Sequence, residues 1–302
     1  MLIKKAGQMI RTLLNKLVRF YLRYSPLTDG KRQLLRILKN LITPNKDIIT
    51  LRTKHGFHLR VTLKNPEHQH IYFYGEHDER HAIKLIKKLI KKLIKKGDVC
   101  WDVGANIGFY TCLFSKLVGG NGAVVAFEPL SSAFSYLKSN IEINKLKNVR
   151  LINKAISDMK GPRTIFFESL ELAEGTATLK QYGNKNITET VEVDCIDGIY
   201  KSIPLPDFIK MDVENCEIEV FKGGQKFFSS NAPIIIADLK HDDKEYLKEV
   251  ETYIKRFDYS FYEIGKRSLK KCLGLPQSKK RHFILVKQSS ENFNRTKHLI
   301  KD

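Results

Sequence analysis

The chain has 302 residues and a mass of 34.9 kDa, which suits one large core with at most an accessory element, because single cores stop growing near about 250–300 residues. A hydrophobic content of 42%, an aromatic content of 10% and only 9 prolines and 18 glycines exclude a disordered, collagen-like or low-complexity chain. Lys and Arg number 53 against 33 Asp and Glu, a formal charge of +20, so an anionic partner is expected: nucleic acid, phospholipid headgroups or an acidic glycan.

The amino-terminal stretch MLIKKAGQMIRTLLNKLVRFYL is interrupted by Lys4, Lys5, Arg11, Lys16 and Arg19. It lacks the apolar run of a signal peptide, and nowhere do about 20 consecutive apolar residues occur to cross a bilayer. At 100° per residue, Ile10, Leu13, Leu14, Leu17, Val18, Phe20 and Tyr21 share one side of a helix, with Arg11, Lys16, Arg19 and Arg23 on the other. Residues 1–47 therefore read as a basic amphipathic helical extension. Its apolar side either packs on the main domain or docks on an anionic bilayer. Five cysteines, Cys100, Cys112, Cys195, Cys216 and Cys272, are odd in number and far apart. They predict neither a disulfide framework nor a zinc ribbon and fit a reducing, cytoplasmic compartment, with any membrane contact peripheral at the inner face.

From Ile48 the period changes to two. Phe57, Leu59, Val61 and Leu63 alternate with His58, Arg60 and Thr62 after a His55-Gly56 turn, predicting a β-hairpin with an aromatic connector over 48–78. KLIKKLIKKLIKK (Lys84–Lys96) follows, with Leu85, Ile86, Leu89, Ile90, Leu93 and Ile94 on one half of the wheel and seven lysines on the other. Placed before an apolar strand, it predicts a helix lying on a sheet with its lysines solvated.

Residues 79–288 then alternate strand and helix, the pattern of a mostly parallel sheet covered on both faces. Strands are predicted at Val99–Val103, Ala123–Glu128, Val149–Ile156, Phe208–Val213, Pro233–Leu239, Ser260–Ile264 and His282–Lys287. Helices are predicted at Phe109–Leu117, Ser132–Asn144, Cys216–Phe228 and Lys244–Phe257. Gly161–Ile196 reads as an excursion with extra strands, and 289–302 as a polar, frayed tail.

One segment carries chemistry. In VCWDVGANIGF, residues 99–109, an apolar strand meets a glycine-bearing turn and a helix, as where a nucleotide-type ligand sits at the carboxyl edge of a sheet. Asn106 and Phe109 stand where a dinucleotide fingerprint needs glycine, so NAD is disfavoured, and no P-loop follows. Glu128, at the tip of the second strand, can accept both hydroxyls of a ribose. A ribose-binding acid without a pyrophosphate cradle fits S-adenosylmethionine.

Together VCWDVGANIGFYT, AFEP, LINKAISD and DFIKMDVENCEIEVFKGG, in that order and spacing, resemble the FkbM-type class I S-adenosylmethionine-dependent methyltransferases. The resemblance runs from about Asp47 to Lys287. It implies a Rossmann-like α/β fold, a seven-stranded sheet with the last strand antiparallel, and O-methylation, often of sugars in surface glycans or secondary metabolites. Carried over, it gives Asp102, Gly104, Ala105, Asn106 and Gly108 the cofactor loop, Glu128 with Pro129 the ribose side, and Ala155 the adenine side. Asp212 and Glu214 match the acidic signature after the fourth strand, with Asn215 in place of the family's glycine and Asp238 where a glutamate is common.

A sugar hydroxyl needs a base. Asp212 is the first candidate, then Glu214, Asp238 and His241. No metal is expected. Lys266, Arg267, Lys270, Lys271, Lys279, Lys280 and Arg281 fall in an acid-free stretch, Gly265–Arg281, expected to clamp an anionic or lipid-linked saccharide acceptor. RNA ribose 2′-O-methylation, resting on Asp212, Lys240 and Glu263, is the main alternative. A non-catalytic module binding S-adenosylmethionine or glycan is the second.

Overall fold

Four short strands, VCWDV, AVVAF, FIKM and IIIAD, bury nearly every side chain, because a sheet covered on both faces needs apolar residues on both. The computed structural model describes residues 2–27, 30–77, 81–167, 177–181, 187–239, 244–264, 268–272, 274 and 282–300. The chain divides into two compact units, Met1–Glu79 and Arg80–Asp302. The helical extension and the hairpin, separated at 47/48 by sequence, thus belong to one unit.

In the first unit, α1 (Leu2–Tyr24) and α2 (Lys31–Ile42) pack together, and β1 (Ile48–Arg52) pairs antiparallel with β2 (His58–Thr62). The aromatic connector is a helix, α3 (Pro66–Tyr74). Pro66 opens it, and the Asn65 side chain accepts from the backbone N–H groups of Glu67 at 2.8 Å and His68 at 3.2 Å, a cap that sequence periodicity alone did not reveal.

In the second unit, α4 (His81–Leu93) precedes β3 (Val99–Val103), α5 (Phe109–Val118), β4 (Ala123–Phe127), α6 (Ser131–Ile143) and β5 (Val149–Ile152). An excursion follows, with β6 (Ala155–Ile156), β7 (Gly161–Phe167), β8 (Ile187–Asp194) and the short α7 (Ile196–Ile199). The chain returns through β9 (Phe208–Met211), α8 (Glu217–Lys222), α9 (Gln225–Ser230), β10 (Ile234–Asp238) and α10 (Lys244–Arg256). It closes with β11 (Tyr259–Ile264), β12 (Leu269–Cys272), β13 (His282–Lys287) and α11 (Glu291–Lys297).

The main sheet has the order β12-β11-β13-β10-β9-β3-β4-β5. Strands β10, β9, β3, β4 and β5 run parallel to one another, and β13 runs antiparallel to both β10 and β11. The last strand is antiparallel as expected. The sheet has eight strands rather than seven because Leu269–Cys272, assigned to a basic loop, pairs along the edge of β11. The strand foreseen at Val149–Ile156 divides: β5 stays in the main sheet, while β6 joins β7 and β8 in a second sheet of order β6-β8-β7. The helix foreseen at Cys216–Phe228 breaks at Gly223-Gly224 into α8 and α9.

Two apolar clusters sandwich the main sheet. Trp101, Val103, Phe127, Ile209, Met211, Ile235, Ala237 and Phe283 face one side. Cys100, Val124, Phe208, Ile234, Ile236, Tyr262 and Ile284 face the other, against Ile86, Leu89, Ile90, Leu93 and Ile94. The lysine-rich helix therefore packs its apolar half on the sheet, leaving Lys88, Lys91, Lys92, Lys95 and Lys96 exposed. Residues 289–300 are not frayed. Arg295 lies 2.7 Å from Asp98, the Leu269 N–H donates to the Leu299 carbonyl at 2.7 Å, and Leu299 is buried.

Trp101, the chain's single tryptophan, is fully buried, stacks on Phe227 at 5.2 Å and donates Nε1–H to the Pro204 carbonyl at 2.9 Å. Trp101→Ala should cost about 3–5 kcal/mol, measurable by urea unfolding followed by circular dichroism.

Candidate active site

Strand order reverses between β3 and β9: the chain runs outward through β4 and β5, then returns to the other side of β3. The crevice outside the carboxyl ends at such a reversal is where open α/β sheets bind ligands. Gly104 leaves β3 with φ +78° and approaches Asp212 so closely that a Cβ there would collide with the Asp212 carbonyl. Its N–H and that of Ala105 donate to the Phe127 carbonyl at 3.1 and 2.9 Å. Gly108, with φ +87°, brings the start of α5 against Leu137, whose Cδ1 would lie 2.5 Å from an added Cβ.

Glu128 follows β4 and is buried. Its carboxylate accepts from the backbone N–H of Asn106 at 2.8 Å and of Leu130 at 3.0 Å. Asn106 has φ 50°, a left-handed turn that asparagine tolerates better than most residues. Burial pushes the Glu128 carboxyl up to about 7, against the opposing pull of the two N–H groups and Lys210. Pro129 accepts from Asn153 Nδ2 at 3.0 Å. Ala155 belongs to the smaller sheet rather than the main one, where it clusters with Leu130 and Ala133.

Period-two alternation places Asp102, Lys210, Asp212, Asp238 and His282 on one face of the main sheet, the face of Cys100, Phe208, Ile236 and Ile284. Asp102 is fully buried. Thr111 donates Oγ1–H to Asp102 Oδ2 at 2.6 Å, and Lys210 Nζ lies 3.5 Å from Oδ1. Burial raises this carboxyl's pKa, while Lys210 opposes the rise. Lys210 Nζ also donates to the Gly104 carbonyl at 2.7 Å, lies 3.7 Å from Asp212 Oδ2, and faces the Tyr110 ring at 5.5 Å.

Asp212 therefore sits at the reversal point with Lys210 as its ionic neighbour. Glu214 and Asn215 both have left-handed backbone, φ 50° and 74°. Asn215 thus occupies a position whose geometry favours glycine, which explains why the departure from the family pattern is tolerated. Asp238 ends β10 and lies opposite His282 at the start of β13, with His282 Nδ1 3.4 Å from Asp238 Oδ1. Glu217 is buried near the same edge. Its Oε2 accepts from Tyr246 OH at 2.8 Å, and burial raises its carboxyl to about 7.

Lys210 and His282 escaped the sequence reading. A lysine inside the apolar strand FIKM, two residues from Asp212, was the available signal for the first. His282 depends on pairing between strands distant in sequence. Glu263 lies on the sheet face opposite Asp212, with Phe261 and Phe283. Lys240, His241, Lys266, Arg267, Lys279, Lys280 and Arg281 lie outside the described residues, whereas Lys270 and Lys271 are on β12. Among the described residues, no group of three or more His, Cys, Asp or Glu could hold a metal ion. No described helix is long and apolar enough to cross a membrane.

A mainly parallel sheet whose last strand inserts antiparallel between two others, with a ligand crevice at its reversal point, is the arrangement of class I methyltransferases. The sequence model of the methyltransferase FkbM domain matches residues 102–261, just over half of the chain. The chain belongs to the FkbM methyltransferase family, a family of S-adenosylmethionine-dependent enzymes. It is 33% identical over 135 residues to the hexuronic acid methyltransferase AglP of Haloferax volcanii, a match covering 42% of this chain and 49% of that protein. The chain thus spans about half the length of this curated relative. Among solved structures, it resembles Trm5b from Pyrococcus abyssi, with 15% identity, coverage of 81% of this chain and 56% of that one, and a TM-score of 0.42. It also resembles M. jannaschii TYW2 in complex with AdoMet, with 15% identity, coverage of 80% and 86%, and a TM-score of 0.41.

The buried acid at the tip of β4 and the close-packed glycine turn fit this cofactor. Native Glu128 holds its proton to about 7, against an ordinary 4.5, so this carboxyl subtracts stability as pH rises through that window. The ribose hydroxyls expected at Glu128 would donate best to its charged form. Cofactor affinity should therefore fall by up to about tenfold per pH unit below pH 7 and level off above it. Calorimetric titrations across this range should show that Glu128→Gln binds more weakly and loses the dependence.

Proposed function

We propose that this protein methylates a hydroxyl of an anionic or lipid-linked saccharide. Its relationship to a hexuronic acid methyltransferase is the observation that carries this reading, and the net charge of +20 agrees with an acidic acceptor. S-adenosylmethionine, when bound, supplies an electrophilic methyl group. The chain's own task is then to hold cofactor and acceptor in register and remove the acceptor proton.

In this reading the turn from Gly104 to Gly108, with Asp102 beneath it, shapes the cofactor crevice, and Glu128 with Pro129 anchors the ribose. Ala155 and Leu130 border the adenine side. Asp212, held beside Lys210, orients the crevice, and Glu214 contributes to its rim. The base is His282, with Asp238 as its positioning partner. His282 Nδ1 lies 3.4 Å from Asp238 Oδ1, and in this reading the imidazole takes the hydroxyl proton. This reading prefers Asp238, 3.4 Å from His282, to Asp212, which lies 3.7 Å from Lys210.

RNA 2′-O-methylation gains no support from the arrangement, since Glu263 and Asp212 occupy opposite faces. The test is turnover of isotopically labelled S-adenosylmethionine with acidic saccharides, lipid-linked saccharides and RNA in parallel. His282→Gln should lower kcat by about 10²–10⁴-fold with cofactor affinity unchanged, and the loss should shrink as pH rises and the hydroxyl ionises unaided. An alkali-labile methyl ester as product would contradict a hydroxyl acceptor. Label entering RNA alone would contradict a saccharide, and full activity in His282→Gln would contradict the assigned base.

A further inference from the structure

The first helix is packed inside out. Its cationic side faces the rest of its own unit, where arginines satisfy backbone carbonyls. Arg11 donates to the Thr43 carbonyl at 2.6 Å, Arg19 to Tyr72 at 3.1 Å, and Arg23 to Tyr72 at 2.7 Å and Arg52 at 3.1 Å. The Arg19 guanidinium also lies 4.0 Å above the Tyr72 ring, and burial lowers the Arg23 pKa to about 10. Asn15, Val18 and Leu22 complete the buried side.

The apolar side is left in solvent. Met9, Ile10, Leu13, Leu17, Phe20 and Tyr24 are each between 58% and 72% exposed. At 100° per residue they fall within about 100° of arc, a continuous stripe along a helix about 35 Å long. The Phe20 and Tyr24 rings pair at its end, with centroids 5.1 Å apart. On α2, Ile37 is 76% exposed and Leu41 53%.

A soluble unit that turns arginines inward and a six-residue apolar stripe outward keeps that stripe for an apolar partner. The surrounding charge selects which one. Helices α1 and α2 contain no Asp or Glu, and Lys5, Lys16, Arg32 and Arg36 are exposed. A second copy would bring like charges together. RNA would meet the cations but not an aliphatic stripe, which offers few stacking surfaces. An anionic bilayer satisfies both features, with acyl chains for the stripe, headgroups for the cations and the interface for the aromatic pair.

We propose that the amino-terminal helix pair docks the protein on an anionic bilayer surface, with α1 in the membrane plane and Ile10, Leu13, Leu17, Phe20 and Tyr24 inserted. This docking stands independently of the methyl acceptor. The test is co-sedimentation of the full chain with vesicles of phosphatidylcholine alone or phosphatidylcholine mixed with phosphatidylglycerol, with light scattering for oligomeric state. Wild type should bind the mixed vesicles in a salt-sensitive manner and the neutral ones weakly. Leu13→Ser/Leu17→Ser/Phe20→Ser should weaken binding by more than about tenfold, with unchanged circular dichroism because these residues are exposed. Lys5→Glu/Lys16→Glu/Arg32→Glu/Arg36→Glu should abolish the preference for anionic vesicles. Absence of wild-type binding at low salt, equal binding by the triple serine variant, or a dimer that this variant dissociates would overturn the proposal.

Discussion

One buried ammonium joins the two halves of the methyltransferase sheet where their strand order reverses. Lys210 rises from β9, donates to the carbonyl of Gly104 on the β3 side, and stands between Asp102 and Asp212. Asp102 is fully buried, and an isolated carboxylate there would be costly; removing one partner of a buried pair typically costs about 3–5 kcal/mol. With the ammonium in place, Asp102 can hold Thr111 at the start of α5, and the glycine turn can rest directly on the Asp212 carbonyl. The Asn106 turn is in turn tied to Glu128. The crevice that suits S-adenosylmethionine is therefore one electrostatic and steric assembly.

Much of this assembly was legible in the residues. Gly104 and Gly108 announced a tight turn and a close helix, Glu128 announced an acid at a strand tip, and the apolar runs announced strands covered on both faces. Each signal is local. The features that escaped arise from pairing at a distance: β12 exists because β11 offers an edge, α11 is held by Asp98 nearly two hundred residues earlier, and His282 gains meaning only opposite Asp238. Lys210 was hidden differently, as one lysine among many in a strongly basic chain. Asn215 stands where the family has glycine, and only the backbone shows why it fits: its φ of 74° lies in a region asparagine can occupy.

The two lysine- and arginine-rich helices show how far amphipathicity can be taken from sequence. Both have an apolar side and a cationic side, and periodicity cannot say which side faces inward. In α4 the apolar half packs on the sheet and the described lysines are solvated. In α1 the arginines find carbonyl acceptors and the stripe is exposed. Arginine makes this inversion possible, because its several donors can satisfy backbone oxygens while its stem packs. Among the described residues, part of the positive charge thus lies on a solvated helix, part on arginines hydrogen-bonded to carbonyls and part on exposed cations flanking an apolar stripe.

The dependence of the cofactor crevice on Lys210 and Asp102 acting together is most directly tested by a double-mutant cycle of unfolding free energy with Lys210→Met, Asp102→Asn and both. Each single substitution should be strongly destabilising and the double one much less so than their sum, with a coupling energy of about 2–3 kcal/mol. Additivity to within about 0.5 kcal/mol would contradict the account, because the ammonium and the carboxylate would then contribute independently.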